Sequence, residues 1–103
     1  MNVEEVTMKL IVNSGDARSK AMEAIRSAKT GKFDNAQNQL KEADESLTKA
    51  HEFQTEIIQE EADGNLKQVT VLLAHAQDHL MNAITVIDLA REFVDLYAKI
   101  SKL

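Results

Sequence analysis

The sequence predicts an all-α fold, an antiparallel three-helix up-down-up bundle, on three observations. The 103 residues include no proline and only three glycines, at 15, 31 and 64, so almost nothing interrupts helix propagation. Gly31 and Gly64 divide the chain into three segments of similar length. Each segment carries apolar residues at alternating spacings of three and four, which align on one face at about 100° per residue.

The first segment opens with Asn2 followed by Glu5, a loose capping box. Its stripe runs through Val3, Val6, Leu10, Ala17, Ala21, Ala24, Ile25 and Ala28, leaving Arg18, Lys20, Glu23 and Arg26 for solvent. Gly15 falls inside it, and a glycine there predicts close approach of a neighbouring backbone or a local bend, because it weakens a helix by about 1 kcal/mol. The second segment opens with Asp34 and Gln37, and its single stripe comprises Phe33, Ala36, Leu40, Ala43, Leu47, Ala50, Phe53 and Ile57. The third is predicted to start at Asn65 with Gln68 and carries two seams. One takes Leu66, Val69, Leu73, Ala76, Leu80, Ala83, Ile87, Ala90, Val94 and Tyr97. The other takes Leu72, Val86, Leu89, Phe93, Leu96 and Ile100, with His75, His79 and Asn82 in its upper places. Two seams need two sets of neighbours. The first two helices can cover one, and the other predicts self-association, with the same helix of another copy as its cover. Periodicity leaves the number of copies open.

Length and composition bound the rest. Residues 1–103 make one domain, small enough for association to add useful burial. A formal charge of −5 and a pI near 5.1 give no basic field for nucleic acid. Without cysteine the chain forms no disulfide and supplies no thiol, in keeping with a reducing cytoplasm. The N-terminus is acidic and the longest aliphatic run, Val71 to Ala74, falls far short of the ~20 residues that span a bilayer, so the expectation is a soluble, unsecreted protein.

Chemistry concentrates at His75-Ala-Gln-Asp-His79. His75 and His79 lie about 40° apart on one helical face, with Asp78 about 60° to the flank of His75. Polar residues at 75, 78, 79 and 82 break seams that are otherwise aliphatic, and burying such groups without partners costs roughly 1–3 kcal/mol each. The i, i+4 histidines have the spacing of helical zinc ligands, but Ala76 stands where a zincin has glutamate, and the third histidine, His51, belongs to another helix. No nucleophile elbow or phosphate-cradling glycine loop is present. The remaining readings are a histidine that relays a phosphoryl group and, from a different class, a non-catalytic helical oligomerisation module whose histidines pack or bind a metal.

Three blocks in order favour the relay. Leu73-Ala-His-Ala-Gln-Asp-His-Leu-Met81 resembles the signature of the lactose/cellobiose-type enzyme IIA of the bacterial sugar phosphotransferase system (PTS). Gly15-Asp-Ala-Arg-Ser-Lys20 resembles that family's first-helix motif, and Ala50-His-Glu-Phe-Gln-Thr55 followed by Ile58-Gln-Glu-Glu-Ala62 is a third similarity. The resemblance implies a cytoplasmic homotrimer whose third helices pack together in a nine-helix assembly. It implies that His75, through Nε2, accepts a phosphoryl group from phospho-HPr and passes it to a cysteine of the cognate IIB protein during disaccharide uptake of the lactose, cellobiose or chitobiose class. It also implies no cofactor for the transfer, contact with the membrane only through the IIB and IIC components, and Asp78 at the three-fold axis, where three carboxylates can share a magnesium-like divalent cation. His79 and Gln77 are candidate supporting contacts for His75, and His51 a structural residue bonding between helices.

Overall fold

The computed structural model describes all 103 residues as three α-helices and no strand: α1 (Val3–Lys29), α2 (Phe33–Ala62) and α3 (Val71–Ile100). They form a rod of 57 × 17 × 17 Å. α1 packs along both other helices, whereas α2 and α3 touch each other less. The chain runs up, down and up, because α1 and α3 meet start to start and end to end. Val6 and Leu10 cluster with Leu73, Ala76 and Leu80, and with Ala50 and Ile57 from the far half of α2. Ala17, Ala21, Ala24 and Ala28 cluster with Ala83, Ile87, Ala90 and Val94, and with Ala36, Leu40 and Ala43. Eight of the eleven residues in this second cluster are alanines, and such small side chains let helix axes approach closely. Ser14, fully buried between the clusters, has a hydroxyl without a hydrogen-bond partner.

The ends of the helices follow from local chemistry, and two differ from expectation. Asn2 does cap α1, accepting from the Glu5 amide at 3.1 Å. α2 has Lys32 at its cap position without a side-chain bond, and Asp34 sits in the first turn instead, where its charge complements the positive end of the helix dipole. α3 begins at Val71 rather than Asn65: Thr70 caps it, with Oγ1 accepting from the Leu73 amide at 3.0 Å. Asn65 is committed elsewhere. Its amide donates to the Glu60 carbonyl at 2.9 Å and that of Gly64 to Glu61 at 3.0 Å, the Schellman closure of α2, with Gly64 at φ +79°. Gly31, at φ +80°, closes α1 in the same way, with Lys32 donating to Ser27 and Gly31 to Ala28. Leu66 therefore reaches the core from an extended segment, packed against the upper cluster, while Val69 is exposed. Nor does Gly15 bend α1. The helix continues through it, and a Cβ there would meet nothing within 4 Å in the chain.

The first two stripes form the core as read, with Phe33, Leu47 and Phe53 packed at its margins. The inner seam of α3 is buried from Leu73 to Val94. Its second seam is not: Leu89, Phe93, Leu96 and Ile100 are 52%, 43%, 51% and 51% exposed.

Candidate functional site

His75 lies in the second turn of α3, just beyond the Thr70 cap. Side chains on a helix lean towards its N-terminus, so His79, one turn further on, leans back to meet the His75 ring. The ring is exposed and that of His79 is half-buried. Their Nε2 atoms are 3.0 Å apart and the rings stand perpendicular, with centroids separated by 4.4 Å. One of these nitrogens must carry the proton and the other accept it. When His79 donates, His75 holds its own proton on Nδ1 and keeps a lone pair on Nε2, the form a nucleophile needs. No lysine or arginine occurs between Val71 and Leu80, so nothing in this turn pairs permanently with a phosphate.

The remaining candidates diverge from this pair. Gln77 turns towards α2, where its Oε1 accepts from Gln54 Nε2 at 2.7 Å; the bond holds α2 and α3 together at the level of the site. Gln54 was not singled out in the sequence, although it lies in the quoted block around Phe53, because a cross-helix amide pair has no local signature. Asp78 is exposed, on the open side of α3 with Val71, Asn82 and Leu89 by helical spacing. It has neither an ion pair nor a hydrogen bond within the chain. No three acidic, histidine or cysteine residues of one chain come together as metal ligands, so a cation at Asp78 requires carboxylates from other copies. His51 is exposed on α2, where its backbone carbonyl also accepts from Thr55 Oγ1 at 2.9 Å; its side chain forms no bond between helices, because it points off the bundle. The block from Gly15 to Lys20 is tied to α2 at both ends: Ser46 donates to Asp16, and Lys20 Nζ pairs with Glu42 at 3.2 Å. Hydrogen bonding to Glu42, and then the charges of Glu42, Glu23 and Asp16, raise the Lys20 pKa above its ordinary 10.5.

An exposed imidazole bonded to a second histidine, with no lysine or arginine in the same turn, has the chemistry to hold a phosphoryl group transiently, and comparison with known proteins identifies the family. The family model described as "PTS system, Lactose/Cellobiose specific IIA subunit" matches residues 5–98. The lichenan-specific phosphotransferase enzyme IIA component of Bacillus subtilis (strain 168) is 49% identical over 100 residues, covering 97% of this chain and 91% of that relative. The crystal structure of the cellobiose-specific enzyme IIA from Bacillus anthracis superposes with a TM-score of 0.94 at 53% identity, covering 99% of this chain and 94% of that one. IIA(chitobiose) from the solution structure of the Escherichia coli IIA(chitobiose)–HPr complex superposes with a TM-score of 0.85 at 38% identity, with 98% of both chains covered. The three helices, the histidine pair and these likenesses meet in one assignment: the chain belongs to the lactose/cellobiose-specific enzyme IIA family of the PTS, as a phosphotransferase component.

Proposed function

We propose that His75 is the residue that carries the phosphoryl group, taken from phospho-HPr and delivered to a cysteine of the cognate IIB protein, within a cytoplasmic system for a disaccharide of the cellobiose, lactose or chitobiose class. The observation that carries this reading is the exposed His75 ring with His79 Nε2 held 3.0 Å from its own Nε2. The structural likeness to a IIA characterised in complex with HPr supports the donor. Absence of cysteine in this chain is in keeping with an acceptor thiol on a separate protein.

In the first step the lone pair of His75 Nε2 attacks phosphorus as the donor's P–N bond breaks. In the second the IIB thiolate attacks and the His75 P–N bond breaks, returning the electron pair to Nε2. Both steps are mainly matters of alignment and of spreading charge over the equatorial oxygens. As His75 Nε2 is consumed, the His79 N–H loses its acceptor and turns to a phosphoryl oxygen. The α3 N-terminus adds only a weak dipole contribution, because its field falls off within the first turn and His75 lies in the second. Stabilisation stays modest, and that keeps the group transferable. Gln77 acts at one remove, by fixing α3 against α2 through Gln54.

The open seam supports a homotrimer with α3 at its centre, forming nine helices. There Asp78 is assigned to the three-fold axis. Three oxygen-donor carboxylates suit a hard divalent cation such as magnesium, or shared protons, either of which relieves their repulsion; transfer on His75 does not depend on it.

Intact mass spectrometry after incubation with phosphoenolpyruvate, enzyme I and HPr tests the relay. The expected result is one acid-labile phosphoryl group per chain, absent in His75→Ala. An unmodified wild-type chain beside active HPr overturns it and leaves the oligomerisation module.

A further inference from the structure

The trimeric reading leaves two charged rows unexplained. On α1, Ile11, Gly15, Arg18, Met22 and Arg26 follow one another at spacings of three and four, forming a row. It lies away from the α2 side, which is marked by the Asp16–Ser46 bond and the Lys20–Glu42 pair, so that Ile11 and Arg18 flank the α3 side of the buried face while Met22 and Arg26 turn progressively outward. Arg18 and Arg26 are exposed and form no ion pair within the chain. On α3, Met81, Asp88, Glu92 and Asp95 form a second row between the open apolar seam and the α2 side, which is marked by the Gln54–Gln77 bond and the Asp44–Arg91 pair. Its three carboxylates are exposed and unpaired as well, and Met81 is 54% exposed.

We infer that these rows face each other across every subunit boundary, so that Arg18 and Arg26 of one copy clasp Asp88, Glu92 and Asp95 of the next. The inference rests on the trimeric reading above. In a closed ring with α3 innermost, the α1 flank of each copy must meet the α2 flank of its neighbour, because the contact is heterologous. Rotation about the axis involves no shift along it, so residues at equal height meet. The α1 segment Ala17–Ala28 packs at the height of Ala83–Val94, which sets Arg26 level with Glu92, one turn from Asp88 and Asp95, and Arg18 about one turn below Asp88, a step of about 6 Å at 1.5 Å per residue that a long arginine side chain spans. Likewise Leu10 is level with Ala76 and Leu80, so Met81 of the neighbour falls beside Ile11 and Gly15. The missing Cβ at Gly15, which meets nothing within its own chain, then gives that methionine room. Charges of opposite sign border one continuous apolar face, and the ring repeats the contact three times. Such pairs set register and partner choice more than affinity.

Sedimentation velocity on the full-length chain tests the clasp. The R18E/R26E variant, with helical content unchanged by circular dichroism, should need a concentration about tenfold higher or more to remain assembled. R18E/R26E/D88R/E92R, which exchanges the signs, should recover most of that loss. Equal assembly of R18E/R26E and wild type overturns the inference, as does a fourfold variant no better than the double. So does a double variant that stays trimeric while losing phosphoryl uptake from HPr, since the arginines would then serve the visiting carrier. A monomeric wild type would instead remove the trimeric reading itself. Should the reversals unfold the chain, R18Q/R26Q is read in its place: assembly less sensitive to salt than wild type supports the clasp, and equal sensitivity overturns it.

Discussion

The lower halves of the two long faces of α3 are alike in apolar sequence and opposite in structure. The inner face alternates small and large residues (Leu73, Ala76, Leu80, Ala83, Ile87, Ala90, Val94), all buried. Small groups there allow α1 and α2 to come close, and the larger ones fill what is left. On the outer face Leu89, Phe93, Leu96 and Ile100 are large without intervening alanines, and the chain itself covers about half of each. A face that a single chain leaves half wet adds little to that chain's own folding and much to association. The two seams therefore differ in what covers them: α1 and α2 of the same chain bury one, and the other stays half open, the face on which the proposed trimer rests.

Three substitutions probe that contrast. The largest stability effect is expected inside. Leu80→Ala, at a fully buried position, should lower unfolding free energy by roughly 2–5 kcal/mol through lost burial and a residual cavity, measured by urea titration at fixed protein concentration. If the loss is under 1 kcal/mol, the inner seam is not the core of the subunit. On the outer face Leu96→Glu should abolish or strongly weaken assembly in sedimentation while the dissociated chain keeps its helical circular dichroism; concerted loss of helix would show that the two faces are not separable. Smallest is Lys20→Met. The Lys20 pKa is raised in the folded chain, so its contribution is fully present below pH 10.5 and fades as the pH climbs through the higher folded value. Exposed pairs of this kind contribute little. Wild type and variant should thus have nearly equal thermal midpoints at pH 7, any small wild-type advantage shrinking as the pH rises past 10.5; an advantage that grows with pH would contradict the sign.

How much of this was legible in the sequence depends on the range of the interaction. The 3–4 spacing of Leu40, Ala43, Leu47 and Ala50 reports a helix face directly, and the histidine turn is contiguous, so both could be read from the chain. The start of α3 could not, because Asn65 and Thr70 are both competent caps; only the Schellman closure at Gly64, which takes the Asn65 amide, decides between them. The Gln54–Gln77 bond joins residues 23 positions apart, beyond any local pattern. Gly15 misled for the opposite reason: its glycine signal is local, yet α1 continues through it and nothing in the chain approaches it, so that only the inferred contact with a second copy gives it a role.

Because α1 and α3 start at the same end of the rod, Met1 lies at the end that holds His75, while Leu103, fully exposed, lies roughly 40 Å away at 1.5 Å per residue. An affinity tag or fluorophore is therefore best fused after Leu103. One placed ahead of Met1 would crowd the approach to the His75 ring and, on the proposed relay, lower phosphoryl uptake with the imidazole itself unchanged.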